Sequence, residues 1–404
     1  MRVEIKKGRA SGKISAPPSK SIAHRLLISA AMSEGVSTVR GISNCADVMA
    51  TLDCLEALGV KSERRGDDVI VYGKDPRTAT PKNPLCARES GSTLRFMIPI
   101  AMLSGKTTIF TGEGRLMSRP MSVYENLFSE KGLTYITDGD SIAVRGKLTG
   151  GEYNVIGNVS SQFISGLIFA LPLADSDSTI NITPPIESRS YINLTLSAVK
   201  EFGIDAVWSD DYTIKIKGNQ TYKAADVTVE GDYSGAVFTD AFNLFGGNVE
   251  VLGLNPESIQ GDSVYKKYFD MLSIGVPTIH IGDCPDLGPI LFAIAAAKNG
   301  GIFSGTKRLK IKESDRAEAM AQELKKFGTS VSVYEDTVVV YPTDFHKPNE
   351  VLKAHNDHRI VMALATLLTL TGGEIEGAEA VSKSYPEYFD ALTALGIEVN
   401  RYDT

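Results

Sequence analysis

A phrase of amphipathic residues, then a glycine, then β-type residues returns six times along the 404-residue chain. It reads Leu55-Glu56-Ala57-Leu58-Gly59-Val60, then Leu127 to Gly132-Leu133, then Val199-Lys200-Glu201-Phe202-Gly203-Ile204. It returns as Met271-Leu272-Ser273-Ile274-Gly275-Val276, Leu324-Lys325-Lys326-Phe327-Gly328 and Leu392-Thr393-Ala394-Leu395-Gly396-Ile397. Glycine accepts the left-handed conformation that a helix end requires, and these glycines stand 73, 71, 72, 53 and 68 residues apart. Self-similarity at such a period marks a repeat architecture. Each copy has an upstream half, in which a polar helix start opens an apolar helix and a strand follows. A hairpin usually comes after the second helix, as in Tyr135 to Val144 with its Asp138-Gly139 turn signal. The fourth copy lacks most of that hairpin, which explains the interval of 53 residues. The unit is thus helix, strand, helix, strand, strand, an α/β repeat with a mixed sheet. Three copies per globule predict two similar domains, divided near Gly218 to Gly231, with the opening strand Arg2 to Ile14 free to pair elsewhere.

The polar helix starts recur in register: Ser19-Lys20-Ser21, Glu89-Ser90-Gly91-Ser92, Ser160-Ser161-Gln162, Asp232-Tyr233-Ser234, Asp286-Leu287-Gly288 and Asn356-Asp357-His358-Arg359. The first is the most telling. Pro17 and Pro18 stop what precedes, Ser19 stands at an N-cap position, and Ile22, Leu26, Leu27 and Ala30 give one apolar face. Lys20 nevertheless lies in the first turn, where the helix dipole disfavours a cation by about 0.3–1 kcal/mol. With Arg25 on the same side as Ser21, hydroxyls, free N–H groups and two cations form a receptor for an anion. Basic loops recur as well, at Gly112 to Pro120, Glu187 to Tyr191, Lys310 to Arg316 and Ser382 to Pro386. Three-fold packing gathers each set at one end of a domain, and two such ends facing each other predict a cleft for a substrate with several anionic groups.

These cations are local features, because the chain carries a net charge of −7 and a pI near 5.4. That balance argues against nucleic-acid or membrane-surface partners. No apolar run approaches the roughly 20 residues that span a bilayer, and the start has no signal-peptide character, so a cytoplasmic location is expected. The cysteines Cys45, Cys54, Cys86 and Cys284 show no CxxC spacing, and the five histidines show no metal-ligand spacing. Gly8 to Ile14 resembles a P-loop, but its glycines are one residue too close and Ile14 stands where Ser or Thr would hold magnesium. Proton-transfer candidates are few. Asp286 beside Pro285 could be a plain N-cap, and Glu313 lies among Lys312, Asp315 and Arg316.

Eight short motifs, each weak alone, resemble in order and spacing those of the enolpyruvyl transferases from Lys13 to Phe389. They are Pro18-Ser19-Lys20-Ser21 with Arg25, Gly91-Ser92-Thr93-Leu94-Arg95, Gly114-Arg115 with Arg119-Pro120, Ser160-Ser161-Gln162, Pro285-Asp286, Lys312 to Arg316, Asn356 to Arg359, and Lys383-Ser384-Tyr385-Pro386. The resemblance implies an α/β (α+β) fold of two similar domains, each of three βαβαββ repeats with pseudo-three-fold symmetry. Their expected bounds are 1–15 plus 228–404 on the phosphoenolpyruvate side, and 16–227 on the shikimate 3-phosphate side. It implies transfer of the enolpyruvyl group of phosphoenolpyruvate to the 5-hydroxyl of shikimate 3-phosphate, through a tetrahedral intermediate that loses phosphate, on the route to chorismate and the aromatic amino acids. It implies a monomer acting on small molecules, with no metal and no cofactor.

By the same resemblance, Lys20, Ser21, Arg25, Ser160, Ser161, Gln162, Ser188, Tyr191, Asp286 and Lys312 contact shikimate 3-phosphate. Lys20, Gly91, Arg115, Gln162, Arg316, Arg359 and Lys383 hold phosphoenolpyruvate. The catalytic set is Asp286, Lys312, Glu313 and Lys20, with Glu313 the proton donor to the methylene carbon. Pro18, Glu89 and Arg308 depart from the family pattern, which often has glycine, asparagine and asparagine there. The alternatives are a transferase acting on UDP-N-acetylglucosamine, a non-catalytic anion-binding protein of the same repeats, and an RNA-terminal phosphate enzyme. The first normally carries Lys-Asn near its start and a cysteine in the 114–120 loop, where this chain has Lys20-Ser21 and no cysteine.

Overall fold

The computed structural model describes residues 1–82, 84–343 and 345–402. The chain forms two compact units, Lys20–Glu230 and Met1–Ser19 with Gly231–Thr404. The expected bounds at 15/16 and 227/228 shift for local reasons. Val227–Thr228 pairs with Val36–Arg40, which holds it in the 20–230 unit. Pro18 bridges Gly231 in the other unit.

The 20–230 unit holds three four-stranded sheets of one pattern. In each, a parallel pair is extended by an antiparallel hairpin. The orders are Val227–Thr228, Val36–Arg40, Asp68–Tyr72, Lys61–Arg65; then Leu85–Cys86, Gly105–Thr111, Ser141–Gly146, Thr134–Thr137; then Gly151–Ile156, Ser178–Thr183, Thr213–Ile216, Ala206–Trp208. The other unit repeats the pattern in Thr278–His280, Gly301–Ser304, Thr337–Val340, Val331–Val333. Its sheet of Leu352–Lys353, Gly373–Glu376, Arg2–Ile5 and Val399–Tyr402 takes one hairpin arm from the start of the chain. The fourth copy keeps only the parallel pair, Asn248–Leu252 with Ser11–Ser15. The opening segment is therefore two strands, each completing a different copy.

Five of the six repeat glycines adopt the left-handed conformation, with φ of 89° at Gly59, 66° at Gly132, 79° at Gly203, 87° at Gly328 and 85° at Gly396. Gly275 differs. Its backbone is extended (φ −173°, ψ −149°), because the chain runs straight into the strand Thr278–His280 where the hairpin is missing.

The first helix of every copy is buried on more than one face. Lys20–Ala31 buries His24, Arg25 and Ser29 along with Leu26 and Leu27, where the apolar spacing predicts a single face. In Gly91–Met102 and Ser161–Ala170 only Ser92 and Gln162 escape full burial. A helix apolar all round belongs in a core, so what these helices offer outward is their N-terminal first turn. Gly288–Ala297 and His358–Thr371 in the other unit are also buried almost throughout, and only Ala297, Leu370 and Thr371, at their C-terminal ends, escape full burial.

Candidate functional site

In the 20–230 unit the helix starts are joined by buried hydroxyls. Ser90 caps the helix Gly91–Met102 by accepting from the Thr93 N–H, and Ser160 caps Ser161–Ala170 by accepting from that of Gln162. A chain runs from His24 Nδ1 to Thr51 Oγ1 (2.7 Å), to Thr93 Oγ1 (2.7 Å), to Ser90 Oγ (2.8 Å). Burial, then the charges of Lys20 and Arg25, push His24 well below the usual histidine range, so it is neutral. Ser19 is not a simple cap; its hydroxyl stands 3.3 Å from both Asp232 Oδ1 and Gln260 Oε1 in its own unit and donates to one of them at a time.

Lys20 Nζ meets Asp47 Oδ2 at 2.9 Å, which offsets the unfavourable place of a cation in a first helical turn. Gln162 spans two elements: its Oε1 accepts from Arg95 Nη1 and its Nε2 donates to Ser92 Oγ, both at 2.8 Å. Gly91 lies under two guanidinium groups. A Cβ there would stand 2.7 Å from Arg119 Nη1 and 2.8 Å from Arg95 Nη1. Ser188 is buried in the left-handed conformation (φ 59°) just before the helix Arg189–Glu201. Arg115 is exposed.

Arg25 is the outlier. It is 2% exposed and donates to Thr195 Oγ1 (2.8 Å), Ser21 O (2.7 Å) and Tyr191 O (3.0 Å), with its guanidinium over Phe96 and Tyr191. Among the described residues no carboxylate pairs with it. Burial pushes its pKa down to about 10, so it is still a cation at neutral pH. A buried charge without a counter-ion is expensive, and a bound anion is the natural remedy.

In the other unit the cations are paired. Arg316, 1% exposed, directs Nε to Asp357 Oδ2 (2.8 Å), Nη1 to Asp286 Oδ1 (2.7 Å) and Nη2 to Glu313 Oε2 (2.8 Å). Asp286 also accepts from Lys312 Nζ (3.2 Å) and Arg359 Nη2 (3.3 Å), so it is no plain N-cap. Asp357 caps the helix His358–Thr371 and accepts from Ser314 Oγ at 3.0 Å. Arg359 donates through Nη1 to Ser234 O, while its buried Nε has no hydrogen-bond partner among the described residues. Lys383 Nζ donates to Asn356 O at 2.7 Å. Burial pushes the Lys312 ammonium down, with Arg316 and Arg308 adding to that and Asp286 opposing it. Asp262 accepts from Ser234 Oγ and is pushed up to about 6 by burial and by the neighbouring Asp286 charge.

The sequence-predicted residues thus fall into two sets, one on each unit. Asp286, Lys312, Glu313, Arg316, Arg359 and Lys383 belong to one; Lys20, Ser21, Arg25, Gly91, Arg115, Ser160, Ser161, Gln162, Ser188 and Tyr191 belong to the other. Of the groups that hold these in place, sequence reasoning missed Asp47, Thr195 and Asp262, and it quoted Arg95 and Asp357 within motifs without giving them a role. Arg88, Ser188, His355 and Asn356 have positive φ, and each lies at or just before a site helix.

Solved structures with this two-domain α/β fold include two of EPSP synthase from Acinetobacter baumannii. One has a TM-score of 0.79 at 22% identity, covering 99% of this chain and 100% of that one. The other has a TM-score of 0.80 at 21% identity, covering 100% of both. Among curated proteins, the 3-phosphoshikimate 1-carboxyvinyltransferases of Clostridium kluyveri and Clostridium novyi are 37% and 38% identical. The alignments cover 99% and 98% of this chain, and 98% and 97% of those proteins. The family model described as EPSP synthase (3-phosphoshikimate 1-carboxyvinyltransferase) matches residues 5–392. The chain belongs to that family.

Proposed function

We infer that this chain is a 3-phosphoshikimate 1-carboxyvinyltransferase of the shikimate pathway, transferring the enolpyruvyl group of phosphoenolpyruvate to the 5-hydroxyl of shikimate 3-phosphate. The observation that carries this beyond anion binding is the contact of Asp286 with Lys312 at 3.2 Å, inside a group of arginines. A carboxylate that meets three cations of an anion site at once weakens their hold on the anion, so Asp286 calls for a role beyond binding. An addition of a hydroxyl to a phosphorylated enol needs both, a base at the hydroxyl and fixed positive charge where phosphate departs.

We assign the shikimate 3-phosphate contacts to Arg25, Ser21, Ser160, Ser161, Ser188, Tyr191 and Gln162, with Arg25 supplying the uncompensated charge. Arg115, Arg316, Arg359 and Lys383, with Lys20 and Gly91, hold the phosphate and carboxylate of phosphoenolpyruvate. Asp286 or Lys312 takes the hydroxyl proton as its oxygen bonds to C2, and Glu313 delivers a proton to the methylene carbon. The intermediate then loses that proton and phosphate. Arg316 already engages Glu313, Asp286 and Asp357, so an incoming anion must compete with them. That exchange frees Glu313 to carry a proton. Fixed cations stabilise the leaving phosphate without reorganising, and holding two anions together overcomes their repulsion.

The monomeric state is carried over from the sequence resemblance and the cytoplasmic location from the reading of the residues; among the described residues no helix is long and apolar enough to cross a membrane. The test is phosphate release from phosphoenolpyruvate. It should depend on shikimate 3-phosphate, and release driven by UDP-N-acetylglucosamine instead would overturn the reading.

A further inference from the structure

We propose that Glu323 and His355 form a clasp that positions the cations of the Gly231–Thr404 unit without touching substrate. Two segments meet there twice: the helix Arg316–Lys325 and the stretch 351–357 that leads into the helix His358–Thr371. At one end Arg316 Nε donates to Asp357 Oδ2 at 2.8 Å. At the other Glu323, 1% exposed, faces the same stretch. Its Oε1 meets His355 Nε2 at 2.9 Å, and its Oε2 accepts from the Lys353 N–H (2.9 Å) and Lys326 Nζ (2.8 Å). Lys326 in turn donates to Val351 O at 3.0 Å.

Between the two ends, His355 and Asn356 are consecutive non-glycine residues with φ of 51° and 54°. Side chains disfavour that conformation, and it persists only where surrounding contacts over-determine it. The Glu323 carboxylate supplies the constraint through the imidazole and the Lys353 N–H. The strained turn then aims two groups. Asn356 O receives Lys383 Nζ at 2.7 Å, and Asp357 takes Arg316 while capping the helix that carries Arg359. Although burial favours the neutral acid, hydrogen bonds from His355, Lys326 and the Lys353 N–H hold Glu323 below the usual carboxylate range. The clasp is thus an anion held by several donors.

The inference rests on the reading that Arg316, Arg359 and Lys383 hold phosphoenolpyruvate. His355 is 22% exposed, so replacing it should leave the fold intact. His355→Leu removes the donor. KM for phosphoenolpyruvate should rise on the order of ten-fold, about what loss of one hydrogen bond to a charged group costs. KM for shikimate 3-phosphate should stay near wild type, and the melting temperature should fall by no more than about 6 °C, the share of the lost hydrogen bond in stability. His355→Gln returns an N–H donor and should restore most of the loss. A rise in both KM values together, a fall in kcat alone, no change at all, or no rescue by glutamine overturns the clasp. Wild-type turnover tests the functional reading separately, and calorimetric titration of phosphoenolpyruvate into each protein gives the same comparison without turnover.

Discussion

Arg25→Met separates a cation kept for a ligand from one kept for the fold. The substitution keeps an unbranched stem and removes the charge. In the free protein, burial lowers the Arg25 pKa from 12.5 to about 10. At about 1.4 kcal/mol per unit, the native state carries a strain of about 3.5 kcal/mol. The sign follows from linkage. A cation whose folded pKa is depressed destabilises the native state throughout the range below about 10, and wild-type stability recovers only as pH rises from there toward 12.5. At neutral pH the whole penalty is present. Against it stand three hydrogen bonds from the charged guanidinium, to Thr195 Oγ1, Ser21 O and Tyr191 O, worth about 1.5 kcal/mol each. The two nearly cancel, so the melting temperature of Arg25→Met should lie within about 4 °C of wild type. Binding should not survive as well. Loss of a buried charge-assisted contact to phosphate costs about 2–5 kcal/mol, a weakening of at least about thirty-fold in shikimate 3-phosphate titrated by calorimetry. A variant that melts more than about 10 °C lower, yet binds shikimate 3-phosphate normally, would make Arg25 a structural cation and refute the argument.

Glu313→Gln should keep both substrates bound and lower turnover by roughly 10²–10⁴, as loss of a general acid does; near-normal turnover in a steady-state phosphate assay would leave Glu313 only as a partner of Arg316. Gly91→Ala places a methyl 2.7 Å from Arg119 Nη1 and 2.8 Å from Arg95 Nη1. KM for phosphoenolpyruvate should rise with little change in melting temperature, and a fall in shikimate 3-phosphate affinity alone would mean the pocket is misassigned. Thiol alkylation at neutral pH should label Cys86 and spare Cys45, Cys54 and Cys284, which are buried, with burial pushing each thiol up, to about 12 for Cys54. Mass spectrometry reads the labelling. Rapid inactivation that shikimate 3-phosphate prevents would point to a cysteine in the site.

The repeat was legible because five of its glycines each solve the same local problem, a left-handed helix end. Gly275 followed the spacing without that conformation, so sequence alone could not tell it from the others. Strand exchange was not legible for a different reason. Val227–Thr228 is two residues long and Ser11–Ser15 is mostly polar, and neither carries a side-chain pattern that selects one sheet over another. Their partners are set by where the chain passes between units. At the site, cations were easier to find than counter-ions. Lys20 in a first turn conflicts with the helix dipole and stands out, whereas Asp47 in a first turn agrees with it and does not. Glu323 reads as an ordinary helical acid, and only its burial and its three donors show what it does.

The strain at these helix starts has a physical logic. An anion at a helix N-terminus is held by N–H groups that point along the axis, so the chain must arrive from the side rather than across the end. A left-handed residue just before the first turn makes that bend in one step. Arg88, Ser188, His355 and Asn356 all take it, although none is glycine. Glycine would adopt the conformation without strain, but it would also loosen the unfolded chain and offer no side chain. Here the side chain is used. His355 reaches Glu323, and Ser188 keeps a hydroxyl at the start of the helix Arg189–Glu201. At these four positions the fold trades stability for aim, whereas the helix starts at Lys20, Ser161 and Gly288 have no left-handed residue before them and Asn219, strained as well, lies at no helix start.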